Sequence, residues 1–500
     1  MELLLSNLSH GFGVALTLNN VLFALLGALI GTAIGVLPGI GPVATISLLL
    51  PITFGQPATT AIIMLAGIYY GAQYGGSTTS ILLNLPGEVS SVVTTLEGYK
   101  MARNGRAGAA LTIAALGSFI AGSFATLLVA ASGPLLTQVA LSFGPADYFS
   151  LMLLGLVISA VLAQGSVLKS IAMVVLGVTL GLVGTDVQTG QQRFTFGVPE
   201  LSDGLGFVSI AMGIFGIGEI ILNLERPEAR SVLSSKVGSL MLTREEAKRC
   251  VAPVLRGTLL GSVLGILPGG GASLAAFGSY MLESKVSSHR HEFGTGAIEG
   301  VAGPESANNA AAQTSFIPLL TLGIPANAVM ALMVGALIIQ GIQPGPRMVE
   351  AQPDLFWGLI CSMWVGNLML LVINLPLIGM WVKLLQVPYK FLYPAILVFC
   401  AIGVYSLNNS VFDVYQTLFF GILGYIFSKL KMEAAPLLIG FVLGPMMEEH
   451  LRRAMLLSRG DITIFVERPI SATLLGIAFI ALAAMLLPGL RSGKDKALAE

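Results

Sequence analysis

The sequence predicts an all-α polytopic membrane protein made of two inverted-topology repeats. Each repeat is expected to carry a re-entrant helical hairpin and an interrupted transmembrane helix, for about 11 crossings plus two hairpins. Three observations lead there. Mean hydropathy is +0.85, with 10% charged and 55% hydrophobic residues over 500 positions, whereas a soluble domain carries roughly 25% charge. Residues 27–41, GALIGTAIGVLPGIG, recur as 257–271, GTLLGSVLGILPGGG, with eight of fifteen positions identical at an offset of 230. The Lys and Arg residues also fall unevenly on the two faces that this arrangement creates.

Residues 1–20 read either as an extra short crossing or as an interfacial segment. They have no basic run before the apolar stretch, which argues against a cleaved signal peptide. Residues 21–54 form two apolar limbs around Leu37-Pro38-Gly39-Ile40-Gly41-Pro42, and 58–86 form one crossing expected to break at Gly71–Gly76. Further crossings are expected near 108–131, 147–163, 168–184 and 205–224, closing a first transport repeat over 21–224. The polar stretch 225–256 reads as a cytoplasmic linker. The second repeat, 257–447, has two limbs around Leu267–Gly271 and an interrupted crossing at 300–325. Crossings follow near 356–380, 392–408, 414–428 and 434–447. Residues 448–500 supply a loop, a last transmembrane helix near 470–489 and a cytoplasmic tail.

The basic residues decide between hairpins and through-going helices for the two glycine ridges. With hairpins, 20 of the 26 Lys and Arg lie inside, leaving Arg193, Arg347, Arg452, Arg453, Arg459 and Arg468 outside. Through-going helices would move Lys285 and Arg290 to the other face. The four arginines of 448–468 run against the rule.

The candidate chemistry lies in the two interrupted crossings, YYGAQYGGSTTSILLNLPGE (69–88) and IEGVAGPESANNAAAQTSFIPLLTLGIPAN (298–327). Ser77, Thr78, Thr79, Ser80 and Asn84 in the first match Ser306, Asn308, Asn309, Thr314 and Ser315 in the second as substrate-binding candidates. Unwound backbone is tolerated in hydrocarbon only where it is buried in protein or lines a cavity. Half-helix N-termini suit a carboxylate, and hydroxyls and amides complete its hydrogen bonds. The bland alternative is that each Ser or Thr bonds the carbonyl four residues back or a neighbouring helix. That fits any one residue, but not two clusters beside matching helix breaks. The GxxxG ridges alone signal close helix packing. With Pro38, Gly39 and Gly41, and Pro268, Gly269, Gly270 and Gly271, they also offer bare tip backbone to substrate or ion. Na⁺ is expected near Gly39, Gly269 and the two polar clusters. Glu305, Thr321 and Tyr70 are ion or gating candidates. A carboxylate at the depth of Glu305 is costly and marks function, yet it reads equally as a helix-start cap.

Catalytic signals are missing, so the chain does not read as an enzyme. His289 and His291 fall in a cytoplasmic loop, His10 and His450 at polar ends, and none is placed to partner an intramembrane serine. There is no HExxH and no Walker loop, so an ion gradient is the natural energy source. Cys250, Cys361 and Cys400 show no paired spacing. No cofactor and no nucleic-acid partner are expected.

At GVLPGIGPVATISLLLPITFG (35–55), YYGAQYGGSTTSILLNLPGE (69–88), GILPGGGASLAAFGSYMLESK (265–285) and GPESANNAAAQTSFIPLLTLGIP (303–325) the chain resembles the large membrane subunit of the bacterial tripartite tricarboxylate transporters. The resemblance runs from about residue 20 to 440. It implies a secondary transporter of the bacterial inner membrane, coupled to Na⁺ or H⁺. Its partners would be a small membrane subunit and a periplasmic solute-binding protein that delivers a carboxylate such as citrate. A stand-alone sodium-coupled dicarboxylate carrier would share the hairpin-and-break logic, and a membrane-embedded enzyme is the remoter reading. Inverted repeats also admit two motions. Hairpins and interrupted helices slide as a unit against the crossings at 108–224 and 356–447, or two whole halves rock.

Overall fold

The computed structural model describes residues 2–37, 41–163, 166–186, 188–225, 239–267, 271–384 and 392–486. The chain opens with α1 (Glu2–Ala15), α2 (Leu18–Val36), α3 (Pro42–Thr53), α4 (Ala58–Leu83), the 3-10 turn Val89–Ser91 and α5 (Val92–Arg103). Then come α6 (Ala107–Leu141), α7 (Pro145–Leu162) and α8 (Val167–Gly181). A small antiparallel hairpin of β1 (Gly184–Thr185) and β2 (Gln192–Arg193) pairs Gly184 with Arg193. α9 (Phe207–Ala211) passes through a π-helical turn, Met212–Ile217, into α10 (Gly218–Glu225). The second half runs α11 (Arg244–Ile266), α12 (Gly271–Val286), α13 (Glu299–Thr314), α14 (Phe316–Leu322), α15 (Ala328–Ile339), α16 (Met348–Ala351), α17 (Pro353–Asn374) and α18 (Ile378–Leu384). It closes with α19 (Leu392–Asn408), α20 (Val411–Lys429), α21 (Ala435–Leu457), α22 (Ile464–Glu467) and α23 (Pro469–Leu486).

This is an all-α, multi-pass membrane architecture apart from the β hairpin, which the hydropathy pattern did not signal. Among the described residues, seven helices are long and apolar enough to cross a membrane, and four shorter helices are equally apolar. Leu168, Val175, Phe419 and Phe479 are exposed, as apolar side chains on lipid-facing helices should be. The interior is the pair α4 and α13. Residues 60–83 and every residue of α13 are buried.

The glycine ridges explain that pair. A Cβ on Gly27, Gly31 or Gly35 of α2 would collide with the backbone of Met64, Ile68 or Ala72 on α4. A Cβ on Gly257, Gly261 or Gly265 of α11 would meet Gly303, Ala307 or Ala311 on α13 in the same way. Both ridges are therefore backbone-to-backbone seams, as small-xxx-small faces allow. Contacts advance together along each pair, so α2 is parallel to α4 and α11 to α13. Parallel neighbours joined by one short helix require that helix to run back, and α3 and α12 do so. Arg256, midway along α11, holds Glu283 near the end of α12 through two hydrogen bonds of 2.6 and 2.7 Å, which sets α12 back along the second half of α11.

Two expectations need correction. The break foreseen at Gly71–Gly76 is absent, because α4 is continuous from Ala58 to Leu83. Gly67, Gly71 and Gly75 form a second smooth face that meets Ala24, Ala28 and Thr32 of α2. Close packing there offsets the roughly 1 kcal/mol helix penalty of each Gly. The second crossing is likewise helical through its polar run. Only Ser315, in right-handed helical geometry, separates α13 from α14. Both breaks come later. α4 ends on left-handed Asn84 (φ 58°) before Leu85-Pro86, and α14 ends on left-handed Gly323 (φ 74°) before Ile324-Pro325. At the second break the Gly323 and Ile324 amides bond the Leu319 and Pro318 carbonyls, a left-handed glycine stop of the αL type reinforced by the proline. α5 and α15, each 12 residues long, resume after the breaks. Residues 1–20 carry α1, which packs on α17. Phe12 stacks on Trp364 at 5.9 Å, and Gly11 lies against the Trp357 carbonyl.

Candidate functional site

Each ridge has its described flank beside the break of its own half. Thr79 donates its hydroxyl to the Val36 carbonyl at 2.7 Å, and Gly87 sits against the Gly35 carbonyl and Gly76. In the second half a Cβ on Gly271 (φ 51°) would lie 3.7 Å from Asn327, whose side chain caps α15 by accepting from the Met330 amide at 3.0 Å. Gly41 caps α3. Pro38, Gly39, Pro268, Gly269 and Gly270, expected as tip backbone, lie outside the described residues. The halves meet across α4, where the Tyr69 hydroxyl accepts from the Asn327 amide at 3.5 Å. Glu88 and Asn327 are half-buried there, and Ser90 bonds both the Glu88 carboxylate and Gln73, while Asn84 is exposed at the far end of α4.

Eight residues along α4 from Tyr69 lies a second, deeper cluster. Ser77 donates to one Glu305 oxygen at 2.6 Å and Thr94 of α5 donates to the other. Ser118 of α6 donates to the Glu305 carbonyl at 3.3 Å and accepts from Asn309 at 2.7 Å. Tyr74 donates to Asn367 at 3.2 Å. Glu305 is fully buried, and no ion pair reaches it among the described residues. A small cavity beside it, lined by Tyr74, Ser77, Thr78, Ser118 and Asn374, holds about one water-sized body. Several buried amide atoms nearby have no hydrogen-bond partner: Asn309 Oδ1, Asn367 Nδ2, Asn374 Oδ1 and both polar atoms of Gln313. Native interiors leave few such groups, so this concentration singles out the region.

The predicted residues therefore divide. Ser77, Thr78, Glu305 and Asn309 converge on the deep cluster, with Asn308 accepting from Asn309 at 2.6 Å. Thr79 and Asn84 belong to the first tip and break. Ser80 fastens the break by donating to the Ser91 carbonyl at 2.9 Å. Ser306, Thr314, Ser315 and Thr321 donate back to carbonyls three or four residues earlier in their own helices. Thr314 also faces Gly265 at the seam. Tyr70 packs on Gly366 of α17, away from both places. Thr94, Ser118, Asn367 and Asn374 escaped sequence reading. The amides at 367 and 374, seven residues apart in an apolar crossing, were the available signal, since polar groups in spanning helices mark interiors and sites.

One face binds the halves by charge. Glu97 of α5, fully buried, accepts from the Gly294, Gly296 and Ala297 amides at 2.5–2.9 Å and from Tyr280 at 2.7 Å. Arg249 bridges Glu292 and Glu299, Arg106 pairs with Glu246, and Lys100 reaches the Gly294 carbonyl. Elsewhere Arg193 and Arg452 both hold Asp186 and Glu448. The Asp186 carboxyl is held well below the usual range, first by the Thr189 hydroxyl, with the Gln188 amide and the two arginines adding to it against burial.

Among known proteins, the family model described as "Tripartite tricarboxylate transporter TctA family" matches residues 21–439. A 52.8 kDa uncharacterized protein from the TAR-I ttuC' 3' region of Agrobacterium vitis is 60% identical over 497 residues, covering 99% of each chain. A second uncharacterized protein, from the TAR-II ttuC' 3' region of the same organism, is 62% identical over 240 residues, 48% of this chain and 99% of its own. No solved structure matches.

Proposed function

The chain belongs to the tripartite tricarboxylate transporter TctA family, and on that premise we propose that it is the large transmembrane subunit of a binding-protein-dependent, cation-coupled uptake system for tricarboxylates or related carboxylates. The observation that carries the reading is the match over residues 21–439, which takes in both seams, both breaks and the deep cluster. The partners are a small membrane subunit and a periplasmic solute-binding protein, and the setting is the bacterial inner membrane.

The halves act as inverted repeats with re-entrant tips. α4 and α13 run antiparallel, since Tyr69 meets Ser315 at the C-terminal end of α13 while Ser77, further along α4, meets Glu305 near its start, and an inversion requires that direction. The carboxylate binds between the two tips and the two breaks. There the half-helix starts at Val89–Ser91 and Ala328 offer free amides and a partial positive charge, Asn327 adds a polar side chain, and Thr79 fastens the end of the first ridge beside them. Alternation moves the tips and breaks together against α6 and α17, rather than rocking whole halves.

The test is uptake of labelled citrate and other carboxylates into vesicles, with and without the binding protein and a Na⁺ gradient. Thr79→Ala and Asn327→Ala should abolish uptake with membrane insertion intact. Near-normal transport by both variants would move the site elsewhere, and full uptake without the binding protein would replace the tripartite reading with a stand-alone carrier.

A further inference from the structure

We infer that the cavity beside Glu305 is a monovalent-cation site that takes Na⁺, with the Glu305 carboxylate as its one anionic ligand. The inference rests on the transporter reading for its purpose, but on the geometry for its place. Glu305 is fully buried, and both carboxylate oxygens accept hydroxyl hydrogen bonds, from Ser77 and Thr94. Charge-assisted bonds of this kind serve an anion. Yet no Lys, Arg or His pairs with it among the described residues, and an uncompensated charge at this depth costs several kcal/mol.

The cavity supplies what would balance it. Glu305, Ser77, Thr78, Ser118, Tyr74 and Asn374 are the polar residues that line it, and the side-chain atoms they can offer a cation are oxygens, because Asn374 Nδ2 already donates to the Leu370 carbonyl. Asn374 is 4% exposed, and its amide oxygen has no hydrogen-bond partner. Oxygen-only ligands select a hard cation. A single carboxylate is too little charge for a protein-held divalent ion, whose sites combine several carboxylates with 6–8 oxygens. The space admits about one water-sized body, which suits a dehydrated Na⁺. The lining comes from α4 and α6 of the first half and α13 and the end of α17 of the second. An ion there joins the halves, so its binding is coupled to whichever arrangement closes the cavity.

The test uses the purified full chain in lipid nanodiscs, with Na⁺ alone as probe. Direct ²²Na⁺ binding and the unfolding temperature are compared in NaCl and in choline chloride at equal ionic strength. Wild type should bind Na⁺ saturably and be stabilised by it. Glu305→Gln and Asn374→Leu should each weaken Na⁺ at least about tenfold. Asn374→Leu retains the carboxylate and serves even where Glu305→Gln fails to fold. Absence of saturable Na⁺ binding by wild type, or wild-type affinity in the folded variants, overturns the site. Binding-protein-dependent citrate uptake driven by a pH gradient alone, unchanged by Na⁺, overturns it while leaving the transporter reading intact. Saturable Na⁺ binding lost in the variants, with no carboxylate transported by any preparation, supports the site and refutes the transporter reading.

Discussion

Replacing Gly31 by Ala tests whether the ridges are structural seams. A Cβ at Gly31 would stand 2.8 Å from the Ile68 Cα and closer still to the Ile68 carbonyl oxygen, and at Gly261 it would stand 2.7 Å from the Ala307 Cα. Carbon atoms rest at about 3.5–4.0 Å, so each added methyl must push two helices apart by about 1 Å. The obstructing atoms are backbone and cannot rotate away, which puts the penalty near the top of the overpacking range, about 3 kcal/mol. Alanine's better helix propensity returns about 1 kcal/mol, for a net loss near 2 kcal/mol and a rise in the unfolded fraction of roughly 30-fold. Gly476 of α23 is the control, because a Cβ there meets nothing within 4 Å. Gly476→Ala should be neutral or gain up to about 1 kcal/mol. Denaturant unfolding in detergent micelles measures all three. Equal stability of Gly31→Ala, Gly261→Ala and Gly476→Ala would refute the seams. A loss at one ridge alone would refute their equivalence.

Tyr280→Phe removes one of four donors from buried Glu97 and should cost about 1.5–3 kcal/mol in the same unfolding assay. Glu97→Ala leaves all four donors unpaired and should cost more, about 3–5 kcal/mol. If the two variants are equally stable, the clamp is not energetic. Because the folded Asp186 carboxyl sits below its ordinary value, its contribution is complete above the unfolded pKa of about 3.9 and fades as pH falls below it towards the folded value. Asp186→Asn should thus lower the unfolding temperature at neutral pH, and its gap to wild type should close as pH drops from about 5 to about 2. A gap independent of pH would remove the carboxylate from the explanation. Cysteines at Gly55 and Lys285 should label with impermeant reagent from opposite sides of the membrane, as expected for inverted halves. Labelling from one side only would contradict the inversion.

By itself the sequence determined the class of molecule, the doubling and the two polar runs. These are carried by local composition, by periodicity and by a repeat visible at constant offset. Hydropathy is a property of each stretch, so a chain with 10% charge can satisfy its backbone only by burying helices in lipid or in one another. What a glycine does depends on what stands opposite, and only the tertiary structure decided that. Gly71–Gly76 looks like a break when α4 is considered alone, and becomes continuous helix because α2 presents a matching glycine face. The true breaks at Asn84 and Gly323 needed backbone geometry to locate them. Glu305 was visible as a costly carboxylate, but its partners were not. Ser77 is 228 positions away and Thr94 is 211, a separation no local pattern spans. Ser306 and Thr314 look equivalent to Ser77 in sequence, yet they bond the carbonyl four residues back in their own helix, whereas Ser77 reaches Glu305 as well as its own Gln73 carbonyl. A hydroxyl's role is set by the nearest acceptor in space, and in a bundle of parallel and antiparallel helices that acceptor is chosen by packing.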